Sequence, residues 1–153
     1  MQVRARQENG TDDAALGQLM FDAIHRGPSL YSEAERRAWL PAPNSGPDWT
    51  ERLEAQRVWV ALEAHAPAGF ISLEGEDYIN LAFVAPAAQG RGVFRALYGS
   101  VEAAAQGQRR LWTHASLMAQ PAFLAVGFHV IRHETVARAG EALRRAEMEK
   151  PLT

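Results

Sequence analysis

From Val3 the chain alternates, Val3-Arg4-Ala5-Arg6, at the two-residue period of a half-buried strand. The period then lengthens. Leu16, Leu19, Met20, Ala23 and Ile24 recur at helical spacing and define one apolar face. Thr11-Asp12-Asp13 in front of them offers a capping residue and two carboxylates at the positive end of the helix dipole. Gly27-Pro28 ends the run. Ser32-Glu33-Ala34-Glu35 has capping-box spacing and predicts a second helix to about Trp39-Leu40. Positions 41–47 read as a loop, and Asp48-Trp49-Thr50-Glu51 can open one more short helix.

Three strand patterns follow: 57–62, then 70–73 after a Pro67-Ala68-Gly69 turn, then 78–84 after Gly75-Glu76-Asp77. Such short connections predict an antiparallel meander. The grammar changes at Pro86. A glycine-bearing turn leads into a helix over 93–105, with Phe94, Leu97, Tyr98 and Val101 inward, and then a strand over 110–115. Strand, helix, strand predicts a parallel pair, 78–84 beside 110–115. A short helix over 120–126 stops at Gly127. Strands over 129–136 and 142–149 close the chain around Gly140. There is no internal repeat, linker or low-complexity tail.

Composition narrows the classes. The 153 residues fit one domain, 1–153. With no cysteine there is no disulfide, thiolate metal site or cysteine nucleophile. A net charge of −2 argues against a nucleic-acid partner held by bulk charge. Of the sixteen bases only Lys150 is not Arg, which reads as composition. Arg4, Arg6, Glu8, Asp12 and Asp13 interrupt any apolar run near the N-terminus, against a signal peptide. The stretch 111–131 holds no Asp, Glu, Lys or Arg, but Pro121 and Gly127 break it, so it reads as buried soluble elements. The expectation is a soluble, cytoplasmic protein with no membrane partner.

The chemistry concentrates in Val84-Ala85-Pro86-Ala87-Ala88-Gln89-Gly90-Arg91-Gly92-Val93. A strand ends, a glycine turn follows and a helix begins, an arrangement whose free amides and dipole welcome an anion. An isolated Gly-x-Gly is also an ordinary tight turn. A dinucleotide fingerprint needs a third glycine where Arg95 stands, and a mononucleotide loop needs a lysine that is absent there. His25, His65, His129 and His133 show no metal-ligand spacing, so no metal is expected.

The order of elements, with Pro86 and Gln89-x-x-Gly92 in the turn and Phe123-Leu124-Ala125-Val126-Gly127-Phe128 downstream, resembles the GNAT superfamily of acyl-CoA-dependent N-acyltransferases. Tyr31-Ser32 followed by Trp39, Ala115-Ser116 before Pro121, and the ending Gly140-Glu141-Ala142-Leu143 … Met148-Glu149-Lys150-Pro151-Leu152 look like one small bacterial branch. The resemblance implies an α+β (α/β) fold: a mixed, mostly antiparallel sheet of six to seven strands with a central parallel pair, flanked by about four helices. It implies acetyl-CoA as cofactor, no metal, a small amine as acceptor, and a homodimer as a possible assembly. The activity implied is N-acetyl transfer to a primary amine by direct attack in a ternary complex. The alternatives are a non-catalytic acyl-CoA binder and an interaction domain that has lost the cofactor.

The resemblance also assigns roles. Phe83 and Val84 would bond the pantetheine amides, and the N–H groups of Gln89, Gly90, Arg91, Gly92, Val93 and Phe94 the pyrophosphate. The Val84 amide would polarise the acyl carbonyl. Tyr78, Asn80 and His114 are the candidates for handling the amine proton, with His114 titrating in the useful range. Tyr31 and Trp39 would wall the acceptor pocket. Three positions depart from the family pattern. Phe94 replaces a small residue, Ser116 an asparagine, and Phe123 the tyrosine that commonly protonates the leaving thiolate; by their places in the pattern Ser116 and Phe123 are still expected to contact the cofactor, and Ser116 to serve in catalysis.

Overall fold

The structure, a computed structural model, describes residues 1–152. Its elements run β1 (Gln2–Ala5), α1 (Asp13–His25), α2 (Glu33–Trp39), α3 (Gly46–Glu54), β2 (Arg57–Glu63), β3 (Ala66–Glu74), β4 (Tyr78–Val84), α4 (Val93–Ala104), β5 (Arg110–Ser116), α5 (Gln120–Ala125), β6 (His129–Arg138) and β7 (Glu141–Pro151). A single 3-10 turn, Pro86–Ala88, precedes α4. The seven strands form one sheet in the order β1-β2-β3-β4-β5-β7-β6. Every neighbouring pair is antiparallel except β4 and β5, which are parallel as the crossover grammar predicts.

The helices divide between the two faces. α4 and α5 cover one, where Leu97, Val101 and Phe123 pack with Ile71, Ile79 and Met148. α1 and α3 cover the other, where Leu16, Leu53 and Trp49 meet Val60, Phe70 and Leu81. Fully burying a side chain such as Phe70 stabilises the fold by about 1.5–3 kcal/mol, so the two clusters hold the sheet from both sides.

Local chemistry explains most boundaries. The capping box forms as its spacing predicts: the Glu35 amide donates to Ser32 Oγ at 3.0 Å, and the Ser32 amide donates to Glu35 Oε1 at 2.7 Å. α3 forms in full because Pro47 sits in its first turn and Trp49 and Leu53 are buried. With α3 and the six-residue α5, five helices flank the sheet instead of about four.

Two expectations are corrected. Pro67-Ala68-Gly69 is not a turn. β3 begins at Ala66, and the reversal is made by Ala64 and His65, both at positive φ. Pro67 is tolerated there because β3 at that point extends past the end of β4, whose Val84 pairs with Gly69. Asp12 and Asp13 do not cap α1 with their side chains. Asp12 takes two hydrogen bonds from Arg4, and Asp13 takes two from Arg6. Bidentate guanidinium pairs win here because β1 and the segment just after it bring Arg4 and Arg6 to the same helix end.

Candidate active site

β4 and β5 touch only at their beginnings. Their register is Tyr78↔Trp112 and Ile79↔Thr113, and the Thr113 hydroxyl donates to the Ile79 carbonyl at 2.8 Å. Beyond that point the strands separate, so the edge of β4 from Asn80 to Val84 faces no strand. An irregularity in the β3–β4 register at Ser72 helps turn it away. Ser72 is fully buried. Its Oγ accepts from the Leu81 amide at 3.0 Å and its hydroxyl donates to Gln56 Oε1 at 2.7 Å, where Asn80 Nδ2 also donates at 3.2 Å. Gln56 and Ser72 thus lock the bend, and no motif marks either one.

Into the gap opens a cleft of about 490 Å³ walled by Phe83, Val84, Gly90, Phe94, Arg95 and Ser116 among others. Gly90 and Gly92 hold positive φ, +78° and +82°, which excludes most side chains on backbone grounds alone. A Cβ placed on either would meet nothing within 4 Å, so the turn faces open space. Among the described residues the amides from Gly90 to Arg95 donate to no backbone carbonyl and no side chain. Unspent amides at the start of a twelve-residue helix are a cradle for phosphate oxygens. The turn, the cleft and the unpaired strand edge fit a long, phosphate-bearing acyl carrier.

Phe94 does not fill the cradle. Its ring stacks toward Tyr98 at 6.3 Å and meets Phe123 edge-on at 5.1 Å, leaving the glycines open. Phe123 is corrected from a cofactor contact to a core residue. It is 1% exposed, forms no part of the cleft wall and packs against Phe94 and Phe128. Arg91, expected in the phosphate turn, pairs with Glu63 and lies outside the wall; Arg95, one turn along α4, lines it. Gln89 lines the cleft and donates from Nε2 to the Val84 carbonyl at 3.4 Å. Val93 is buried beneath the turn yet reaches the wall.

A second cavity of about 210 Å³ adjoins the first; Trp39, Phe83 and Ser116 line both. Tyr31, Tyr78, Asn80 and His114 line the second. The Tyr31 hydroxyl donates to the Arg144 carbonyl at 2.6 Å and accepts from the Leu117 amide at 2.9 Å, so it fixes the wall in place. Tyr31 and Trp39 meet edge-on at 5.6 Å, and Trp39 leans on Phe83 at 6.1 Å. The Ser116 oxygen accepts from the Ala119 amide at 3.2 Å, which leaves its proton free where the cavities meet.

Tyr78 Oη and His114 Nδ1 lie 2.9 Å apart, a hydrogen bond whose direction follows the imidazole tautomer. Burial first, and Arg145 second, push His114 below its ordinary pKa. Burial raises that of Tyr78. At neutral pH the pair is therefore a neutral imidazole beside a protonated phenol. On the far side of His114, Glu147 and Glu134 come within 4.8 Å of the imidazole and each other. Both carboxylates are already paired, Glu147 with Arg132 and Glu134 with Arg145, each at 2.7 Å, so arginine supplies the positive charge that a cation would bring.

Sequence reasoning also passed over the arginines of this cavity. Arg52, Arg138, Arg144 and Arg145 line it, from three different elements. Only the fold brings them together.

Comparison with known proteins agrees with the geometry. A family model described as an acetyltransferase (GNAT) domain matches residues 29–151. The uncharacterized N-acetyltransferase YafP of Escherichia coli K12 is 34% identical over 110 residues, covering 72% of this chain and 69% of YafP. The crystal structure of a GCN5-related N-acetyltransferase from Rhodopseudomonas palustris superposes with a TM-score of 0.87 at 28% identity, over 98% of this chain and 94% of that one. The fold also matches YncA, a protein of Salmonella typhimurium solved with its cofactor acetyl-CoA. There the TM-score is 0.68 at 19% identity, over 100% of this chain and 94% of that one.

Proposed function

Because the chain belongs to the GNAT acetyltransferase family, we propose that it moves an acetyl group from acetyl-CoA to a primary amine of a small molecule or peptide, by direct attack in a ternary complex. The whole chain acts as one transferase domain. The observation that carries the reading is the β4–β5 gap opening onto the unspent amides of the Gly90–Arg95 turn. When bound, acetyl-CoA supplies an activated acyl thioester. The chain's own residues bind and orient. The turn amides hold the phosphates, with Arg95 beside them. The free edge of β4 at Phe83 and Val84 offers backbone groups to the carrier's amides, and the Val84 N–H is the donor for a developing oxyanion.

The second cavity takes the amine. Trp39, Phe83 and Ser116, shared by both cavities, mark where acyl carbon and amine nitrogen meet. His114 is the proton acceptor, reached directly or through the Tyr78 hydroxyl. Asn80, held by Gln56, is a positioning residue whose carbonyl oxygen stays available to the amine. Ser116 offers the hydroxyl donor that Phe123 cannot. Bringing two reactants together in fixed orientation is itself worth about 7–11 kcal/mol of barrier in favourable cases. The absence of cysteine leaves no acyl-thiol route through the enzyme. A cytoplasmic location follows from the cofactor. No helix among the described residues is long and apolar enough to cross a membrane. The exposed edge of β6, with Ile131 outward, is where a second copy would pair in a homodimer.

Calorimetry with acetyl-CoA, followed by an amine panel read through release of free CoA thiol, tests the proposal. Saturable acetyl-CoA binding and amine-dependent thiol release are expected. A protein that binds no acetyl-CoA overturns it.

A further inference from the structure

The acceptor cavity is cationic. No Asp or Glu lines it, while Arg52, Arg138, Arg144 and Arg145 do. Arg145 is committed to Glu134 at 2.7 Å. Arg52 and Arg138 are not: among the described residues neither has a carboxylate within 4.0 Å. Neither donates a side-chain hydrogen bond to the protein. Arg52 lies over the Trp49 ring at 5.7 Å, a contact that aims the guanidinium without using its N–H groups. Arg144 also lines the cavity but stands apart from the other three. It alternates to the sheet face opposite Leu143 and Arg145, and its carbonyl is what Tyr31 grips. Arg138 shares its face with Val136, two residues before it on β6, which also lines the cavity.

Burial lowers the pKa of Arg52; the charge of Glu74 opposes it, and the charge of Arg138 adds to it. Among the described residues, two like charges thus line one cavity with no carboxylate in its wall and none in contact with either. A cationic acceptor would add a third. A neutral one would leave both guanidinium forks unspent. An anion answers both, since each fork presents planar donors matched to carboxylate or phosphate oxygens.

Resting on the transferase reading above, we propose that the acceptor is an amine bearing an anionic group, a carboxylate or a phosphate-type oxyanion, which docks between Arg52 and Arg138 with its amine turned toward Tyr78 and His114. The same positive surroundings favour the neutral, nucleophilic form of the amine over its ammonium, so one feature serves both recognition and activation.

The test uses matched pairs on the full chain. Each L-amino acid is compared with its own amide, and an aminoalkyl phosphonate with the corresponding alkylamine, so that only the anion changes. One arm separates carboxylate from phosphate-type acceptors. Charge-assisted bonds of this kind predict a preference in kcat/KM of about tenfold or more for the anionic member. Arg52→Gln and Arg138→Gln collapse that preference, while the arginine-to-lysine variants keep part of it. Independently of turnover, calorimetry in the presence of CoA compares N-acetyl amino acids with their N-acetyl amides. The acids bind about tenfold or more tightly, and the glutamine variants lose the difference. Equal binding of acid and amide, a preference for polyamines or neutral amines, or an acid preference untouched in both glutamine variants overturns the inference. If acetyl-CoA binds but no anion is preferred, this inference fails and the transferase reading stands. If acetyl-CoA does not bind at all, the transferase reading fails first.

Discussion

His114 shows how one residue's surroundings set its chemistry. Burial disfavours its charged form and Arg145 adds to the effect, so its folded pKa lies below the ordinary imidazole value of about 6.5. A depressed folded value means the stability tied to the neutral ring is present above about pH 6.5 and is lost as pH falls through the folded pKa. As a base it stays competent into mildly acidic solution. The acid limb of kcat/KM, corrected for the amine's own titration, is expected to inflect below 6.5. His114→Gln removes that inflection and lowers kcat by about 10²–10⁴. An unchanged acid limb in the variant excludes the role. Gly17 makes a steric case at the same scale. Helix propensity alone favours alanine there by about 1 kcal/mol. Yet a Cβ would lie 1.9 Å from the Asn44 carbonyl oxygen. Moving that backbone costs about 1–3 kcal/mol or more, so Gly17→Ala is expected to lower Tm, at about 2–4 °C per kcal/mol of net loss. A variant that melts at or above wild type contradicts the close packing.

At the scale of elements, Asp13 ties three together. Its carboxylate takes Arg6, the residue just after β1, and the Thr50 hydroxyl of α3, and its carbonyl accepts from Trp49 Nε1 at 2.8 Å. Burial pushes its pKa up, but Arg6 and Thr50 outweigh that and hold it below the usual carboxylate range; Arg4 does the same for Asp12. This stability is present above about pH 4 and is lost as pH falls through the depressed values. Asp13→Asn should cost about 3 kcal/mol in denaturant titrations at pH 7 and flatten the acid slope below pH 4. A cost under about 0.5 kcal/mol would show the clamp to be ornamental. The sequence could not announce this clamp. Ser32 and Glu35 were legible because a capping box is complete within four residues, whereas Asp12 and Asp13 chose partners across a loop. The β2–β3 reversal was missed for a related reason: Ala64 and His65 take positive φ without a glycine to advertise it.

For the molecule as a whole, the meander and the parallel crossover were readable because loop length restricts how successive strands pair. The glycine turn was readable because its backbone conformation selects the residue type. What stayed hidden was convergence. Phe123 looked like a cleft residue by alignment to a pattern, and only packing shows it beneath Phe94. The arginines looked like composition, and only the sheet and α3 bring Arg52 and Arg138 to one cavity beside His114. The strand order carries one more consequence. β7 is synthesised after both β5 and β6 yet lies between them. Until residues 141–151 have left the ribosome, β5 has no antiparallel neighbour, β6 has nothing to join, and Tyr31 lacks the carbonyl that holds the acceptor wall. A nascent chain can close its N-terminal meander early, but the amine-binding half is assembled only by its final strand. Loss of that strand would leave a cradle for the acyl carrier with no chamber for the acceptor.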